Sequence, residues 1–438
     1  MFKINLYKKE KKLFQLIFFT LLLPTLYKTI RINFLNNIPE DYGFNIASQL
    51  QWVNLLFEVI QEALILPLFY FIGKTLNNDK ISKEKIVSSL FSTFLITSIF
   101  SLIVSLNIQN LTKFMMQKPE LIESTTFYIK LELIGIVLSF LYRTMFIVFI
   151  QYQQIKTIFY LLIIELLFTV ICDFTFIGNS YLGLHLGVNG IAYTNIIVNM
   201  FVVSLAINEI LKLYNINFKS VLKYINFSSL KDLINVGFMS GLESCIRNLT
   251  FILIIIKMIN QIGKQGDFWI MMNFMWGWLL LPVLALGEIV KSNSSKDHNL
   301  DLKKYFKITF FIVCIWIMTI PFWRDFLKYI MGLNENILNS VLSLSYISII
   351  FYIVFAFNNI IDSYFYGTGR TDLILYQSLI INIIYYGSLY IIFEKGIFIP
   401  TLNNIAIIFG IGMSIDSFFT LLQYLKLKSK KDIKIINL

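Results

Sequence analysis
Twelve apolar segments separated by short polar connections run through the chain. They lie at about residues 13–35, 45–73, 86–108, 125–150, 156–177, 187–211, 232–258, 267–290, 305–327, 338–366, 371–393 and 402–425. Each reaches or exceeds the ~20 residues of helix that cross a ~30 Å hydrocarbon core. The segments are continuous and do not alternate, which selects helices and excludes a β-barrel. The pattern therefore predicts an all-α integral membrane protein with twelve transmembrane helices. Pro24, Pro67, Pro282 and Pro321 fall inside the first, second, eighth and ninth segments. A proline removes a backbone donor and crowds the preceding turn, so bends are expected at these positions.

Composition agrees. Apolar residues make up 57% of the 438 and charged residues only 14%, against about 25% charged in a soluble domain. The mean hydropathy is +0.71. The net charge of +11 sits in the connections, so it reads as topogenic and lipid-attracting charge, with no nucleic-acid surface implied. With both termini in the cytoplasm, inside segments carry 25 Lys and Arg and outside connections carry 6. That bias predicts a multi-pass protein of the cell membrane with both ends cytoplasmic. The basic start, Met1 to Lys12, leads into a long apolar run with no small-residue cleavage site after it, as expected of an uncleaved first span.

The chain also repeats itself. "NLTKFMMQKPELIESTTFYIKLELIG" (110–135) resembles "DFLKYIMGLNENILNSVLSLSYISII" (325–350), and "QYQQIKTIFY" (151–160) falls where "GTGRTDLILY" (367–376) falls later. The offsets are 215 and 216 residues. With an even number of spans, this predicts two six-helix bundles, 1–211 and 232–438, related by a pseudo-two-fold axis along the membrane normal. The cytoplasmic connection 212–231 joins them, and the second ends in a basic cytoplasmic tail. Duplicated bundles of this kind place their substrate path between the halves.

Near residue 190 the sequence reads "CDFTFIG…LGVNGIAYTN" (172–195). An Asp ending the fifth span, a glycine turn and then Gly-x-x-Gly-x-Ala-x-Thr opening the sixth resemble the MATE transporter family, within the multidrug/oligosaccharidyl-lipid/polysaccharide flippase superfamily. Asp173, Gly187, Gly190, Ala192 and Thr194 carry the likeness. "VGFMSGLES" (236–244) resembles the opening of the family's seventh span without its proline, and "YGTGRTDLILYQSLIINII" (366–384) its Gly-rich tenth-to-eleventh turn. The resemblance implies export of cationic or amphiphilic compounds in exchange for Na⁺ or H⁺. One departure stands out. Counting back from Gly73 and Lys74, which resemble the family's second-to-third turn, the stretch that holds an acid in the family's first span reads "YKTIRIN" (27–33) here. It offers Lys28 and Arg31 and no acid.

An ionisable group in hydrocarbon costs at least ~2.5–3.5 kcal/mol, so each one inside a span needs a partner or water. Glu165, Thr169 and Asp173 follow one another at i, i+4 and i+8 and line one face of the fifth helix, and Glu58 and Glu62 do the same on the second. The sequence predicts a polar cavity here for a coupling ion or substrate. Asp173 is its centre, Thr169 and Thr194 offer oxygen ligands for Na⁺, and Glu165 extends the face. Arg31 is placed to neutralise it. Lys130, Glu132 and Arg143 are further charges in the same half. In the second half, Glu243 and Arg247 lie one turn apart, and Asp362 stands near an acid that one branch of the family carries in its tenth span. The alternative for all of these is structural ion pairing.

No Walker loop, HExxH, Cys-x-x-Cys, Ser/His/Asp arrangement or TVGYG filter occurs. Cys172, Cys245 and Cys314 have no metal-ligand spacing, and His185 and His298 fall in connections. A monomeric secondary transporter is expected, not an enzyme, with the bilayer and a small-molecule substrate as partners and no cofactor beyond the coupling ion. The runner-up is a lipid-linked sugar flippase of the same superfamily, whose anionic diphosphate substrate suits Lys28, Arg31 and Arg143.

Overall fold
The computed structural model describes residues 8–36, 42–65, 67–68, 72, 79–152, 154–178, 183–214, 223–294, 297 and 300–436. Gly73, Lys74, His298 and part of the 212–231 connection lie outside the described residues. The described chain is helical at every one of the twelve segments. In order these are α1 (Lys8–Leu35), the pair α2 (Tyr42–Ser48) and α3 (Leu50–Ile60), α4 (Asp79–Phe114), α5 (Ile122–Gln151), α6 (Ile155–Phe176) and α7 (Asn189–Tyr214). Then follow α8 (Phe227–Thr250) with α9 (Lys257–Gln261), α10 (Gln265–Phe274) with α11 (Leu281–Ser294), α12 (Lys303–Thr319) and α13 (Glu335–Thr368). The chain closes with α14 (Thr371–Ile380), α15 (Gly387–Glu394) and α16 (Leu402–Ile436).

Among the described residues, 8 helices are long and apolar enough to cross a membrane, or 9 if α10 and α11 count as one span bent by 56°. The bend falls where Pro282 predicts it, just after a π-helical turn, Met275–Leu279. Pro321 lies in a 3₁₀ turn, Ile320–Phe322, that ends α12. Pro24 is carried within α1. The long α13 has conventional ends. Asn334 caps it by accepting a hydrogen bond from the Ile337 amide at 3.0 Å, and Gly369 closes it at φ 75°. This Gly369 turn belongs to the Gly-rich stretch singled out in the sequence.

Packing divides the chain into two compact units, one of residues 34–266 and one of residues 1–33 with 267–438. The division differs from the duplication. The first helix of the N-terminal copy packs with helices of the C-terminal copy, and the first helix of the C-terminal copy packs with helices of the N-terminal one. In each case the exchanged helix packs against a π-turn at a glycine, which is on the helix in one unit and in the π-turn in the other. In the 34–266 unit, α8 lies against a π-turn, Gln61–Ile65: a Cβ on Gly241 would sit 2.7 Å from Ala63 Cβ, and one on Gly237 would overlap the Ala63 carbonyl oxygen. In the other unit, α1 lies against the π-turn Met275–Leu279, and a Cβ on Gly277 would sit 3.0 Å from Thr25 Cγ2. The two π-turns begin 214 residues apart, within two residues of the offsets of the sequence repeat. Gln51 and Gln265, both in the 34–266 unit, have the same separation, and their side chains hydrogen-bond at 3.2 Å.

Candidate functional site
The α6–α7 hairpin holds the centre of the expected site, and its register can be read from its contacts. A Cβ on Gly190 would lie 2.9 Å from Ile177 Cγ1 and 3.0 Å from the Phe176 carbonyl, so the start of α7 rests on the end of α6. Deeper in the hairpin the rings of Phe168 and Phe201 meet with centroids 5.0 Å apart. One turn inward from the glycine contact, the same antiparallel register brings Asp173 of α6 and Thr194 of α7 to one level of the hairpin. Asp173 is 1% exposed, Thr169 5% and Thr194 0%. The Thr194 hydroxyl has no hydrogen-bond partner. Few native polar atoms are left so. A buried carboxylate at the level of such a hydroxyl, with Thr169 one turn away, offers oxygen atoms of the kind a proton or a small hard cation takes. Among the described residues, no three His, Cys, Asp or Glu side chains gather as a metal cluster.

A second buried acid lies on the other side of α7. Glu132 of α5 is 2% exposed and accepts two hydrogen bonds from Asn195 Nδ2, each 2.9 Å long. The close approach is permitted by Gly135, where a Cβ would meet Asn195 Cβ at 3.3 Å. The "YTN" of α7 therefore puts Thr194 toward α6 and Asn195 toward α5. Glu132 is absent from the expected site. The sequence marks Glu132 only as a charge within a span, and its partner Asn195 lies 63 residues away.

The remaining acids of this unit form a polar strip. Arg143 of α5 donates to Gln61 Oε1 at the π-turn and interacts electrostatically with Glu165. The next residue, Glu62, accepts from Ser240 of α8 at 3.1 Å. Arg247 of α8 reaches Glu58 Oε1 at 3.2 Å and Glu243 Oε2 at 3.7 Å. The pairing of Glu243 with Arg247 expected from their one-turn spacing is thus the longer of two contacts, and the closer partner is on another helix. Asn248 anchors the same face through the Leu55 carbonyl at 2.9 Å. Glu58 and Glu62 both bond to α8, whereas Asp173 and Thr194 belong to the α6–α7 hairpin.

The residues expected in the other unit are separate. Arg31 of α1 is half-buried with its guanidinium 5.9 Å from the Tyr27 ring centroid. Asp362 of α13 accepts from Asn358 Nδ2 at 2.8 Å and from the Thr420 hydroxyl at 3.4 Å, while Thr420 also bonds Gln377 Oε1 at 2.9 Å. At the π-turn Met275–Leu279 the partners are aromatic. Trp276 Nε1 donates to Tyr352 Oη at 3.1 Å, and Trp278 Nε1 donates to Thr29 Oγ1 at 3.0 Å.

The MatE family profile matches residues 293–391. The whole fold is that of solved MATE transporters. An inward-facing multidrug resistance MATE transporter of the MOP superfamily superposes with a TM-score of 0.68 at 16% identity, over 96% of this chain and 95% of that one. The MATE multidrug transporter DinF-BH gives 0.72 at 15% identity over 97% and 96%. A MOP superfamily transporter from Pyrococcus furiosus, reported with a reversed polarity of its binding pocket, gives 0.61 at 16% identity over 98% and 99%. No curated protein sequence matches the chain. The resemblance to the MATE family is borne out by the profile match, which lies outside residues 172–195, and by the fold. So is the architecture of twelve membrane helices in two bundles, which those transporters share.

Proposed function
We propose that the protein is a secondary transporter that exports organic, cationic or amphiphilic compounds across the cell membrane by antiport of Na⁺ or H⁺. The observation that carries this reading is the buried Asp173, at the same level of the α6–α7 hairpin as the buried, unpartnered Thr194 hydroxyl. A buried carboxylate is costly to keep as structure alone. A site that takes up and releases a small cation in each cycle gives it a use. In this reading Asp173 carries the charge, Thr194 and Thr169 supply neutral oxygens, and Glu132 with Asn195 holds α7 in place behind them. The polar strip from Glu165 through Arg143 to Glu62 and Arg247 is the flank that reorganises when the ion leaves. Both termini are placed in the cytoplasm by the lysine bias, and the protein works as a monomer.

A second reading is supported by α1. It carries Lys28 and Arg31 and no acid at the level where an acid is usual, and the transporter from P. furiosus is reported with a pocket of reversed polarity. On that reading the substrate is an anionic, lipid-linked diphosphate. Purified protein in liposomes decides between the two. With an imposed Na⁺ or H⁺ gradient, the first reading expects gradient-driven movement of a fluorescent organic cation, lost in Asp173→Asn at equal expression. Gradient-independent translocation of a lipid diphosphate, with no cation transport, is the result that turns the assignment to the second.

A further inference from the structure
We propose that the tip of the α4–α5 hairpin binds the headgroup of an aminophospholipid, a phosphate joined to a primary ammonium. A cavity of about 570 Å³ opens there, lined by Gln109 and Lys113 from the end of α4, Pro119 from the turn, and Ile122, Glu123 and Thr126 from the start of α5. It lies where both helices pass from apolar to polar sequence, the level of lipid headgroups.

The hairpin register shows what surrounds it. Ser101 bonds the Leu133 carbonyl at 3.4 Å, and the Thr93 and Thr144 hydroxyls meet at 3.5 Å. Continued to the tip, this pairing sets Leu102 level with Ile134, Leu106 with Lys130, Gln109 with Phe127, and Lys113 with Glu123. All eight are exposed. The hairpin therefore turns a ladder toward lipid that is apolar at its base and charged at its tip. Leu102 and Leu106 are 60% and 76% exposed, and Phe127 and Ile134 50% and 53%.

The charges at the top do not satisfy one another. Lys113 and Glu123 face across the cavity, yet among the described residues neither has a side-chain hydrogen bond or ion pair, and the same holds for Gln109 and Lys130. The Thr126 hydroxyl is buried at the cavity wall without a partner. Lys130 is exposed at a depth where a bare ammonium is costly, and its stem is long enough to carry the charge up toward the interface. A phosphate between Lys113 and Lys130 with an ammonium on Glu123 matches this order of charges. A purely anionic headgroup leaves Glu123 opposed, and a trimethylammonium group cannot donate to it. The acyl chains then lie along Leu106, Phe127, Leu102 and Ile134.

The test is native mass spectrometry of the full-length protein taken from nanodiscs with equal parts of phosphatidylethanolamine, phosphatidylcholine and phosphatidylglycerol. Phosphatidylethanolamine should be retained about threefold over phosphatidylcholine, the size expected of a partly exposed ion pair. Glu123→Gln should remove that preference while leaving total phospholipid retention in place. Lys113→Gln should lower retention of all three. Both side chains are exposed, so the fold should survive, which size-exclusion chromatography checks. Equal retention of the two zwitterionic lipids by the wild type, an unchanged preference in Glu123→Gln, or phosphatidylglycerol retained above the others would each overturn the proposal. The last result would mark a plain basic patch.

Discussion

Where α8 meets the π-turn Gln61–Ile65 the contact is ionic, and where α1 meets the π-turn Met275–Leu279 it is aromatic. The two places are copies of one another in backbone, 214 residues apart, and in both a glycine brings two helices together. In the first, Glu58, Glu62, Ser240, Glu243 and Arg247 fill the surroundings. In the second, Trp276, Trp278, Thr29 and Tyr352 do so, with indole N–H groups bonded to hydroxyls. A π-turn displaces one residue's backbone bonding and tilts the side chains around it, which is why such turns recur at functional positions. Duplication supplied the same device twice. The ionic copy shares its unit with Asp173, Glu132 and Glu165, whereas the aromatic copy shares its unit with Asp362 alone among the predicted acids. The two copies thus differ in the chemistry of their side chains, ionic in the 34–266 unit and aromatic in the other.

The largest effect on this pair of junctions should be steric. Gly237→Ala drives a methyl group into the Ala63 carbonyl, and backbone cannot yield cheaply. A loss of about 1–3 kcal/mol is expected, the usual cost of overpacking. Gly277→Ala meets only the Thr25 methyl at 3.0 Å, so its loss should be smaller. Thermal unfolding in detergent, followed by size-exclusion, measures both. Equal effects would contradict the difference in clearance between the two junctions.

Next in size is Arg247→Met, which leaves Glu58 and Glu243 without their cation. All three side chains keep some access to solvent, Arg247 at 42% and Glu58 at 37%, so about 1 kcal/mol is expected. Adding Glu58→Gln should recover part of the loss. A double-mutant cycle with no coupling between these residues would remove the ionic character assigned to the first junction. Smallest is Trp278→Phe, which deletes the hydrogen bond to Thr29 while keeping an aromatic ring. Interhelical bonds of this kind in membranes contribute about 0.6 kcal/mol. Trp278→Phe should cost no more than that, and Thr29→Val should add little once Trp278 is gone.

Much of the architecture is legible in the sequence because lipid is a demanding solvent. Twelve apolar runs have no other stable state than helices, and Pro282 marks the 56° bend between α10 and α11. The seating of α7 on the end of α6 is legible through the "LGVNGIAYTN" pattern, since Gly190 lies where a side chain would meet Ile177 and the Phe176 carbonyl. Hydropathy carries no trace of the exchange of α1 and α8 between packing units, because a helix apolar on most sides gives no sign of which neighbour it prefers. The closer partner of Arg247 is hidden for a related reason. Spacing along one helix points to Glu243, but Glu58 lies 189 residues away in sequence. The sequence marks Glu132 as a charge within a span, yet only the fold shows that Asn195 covers it.

The proposed function puts the coupling charge on Asp173 in the 34–266 unit and not on Asp362 in the other. The decisive measurement is gradient-driven export of an organic cation from liposomes, made for Asp173→Asn and Asp362→Asn at matched protein content. Export should collapse to the rate without a gradient in Asp173→Asn and keep its gradient dependence in Asp362→Asn. Coupled export that survives in Asp173→Asn and fails in Asp362→Asn would contradict the assignment.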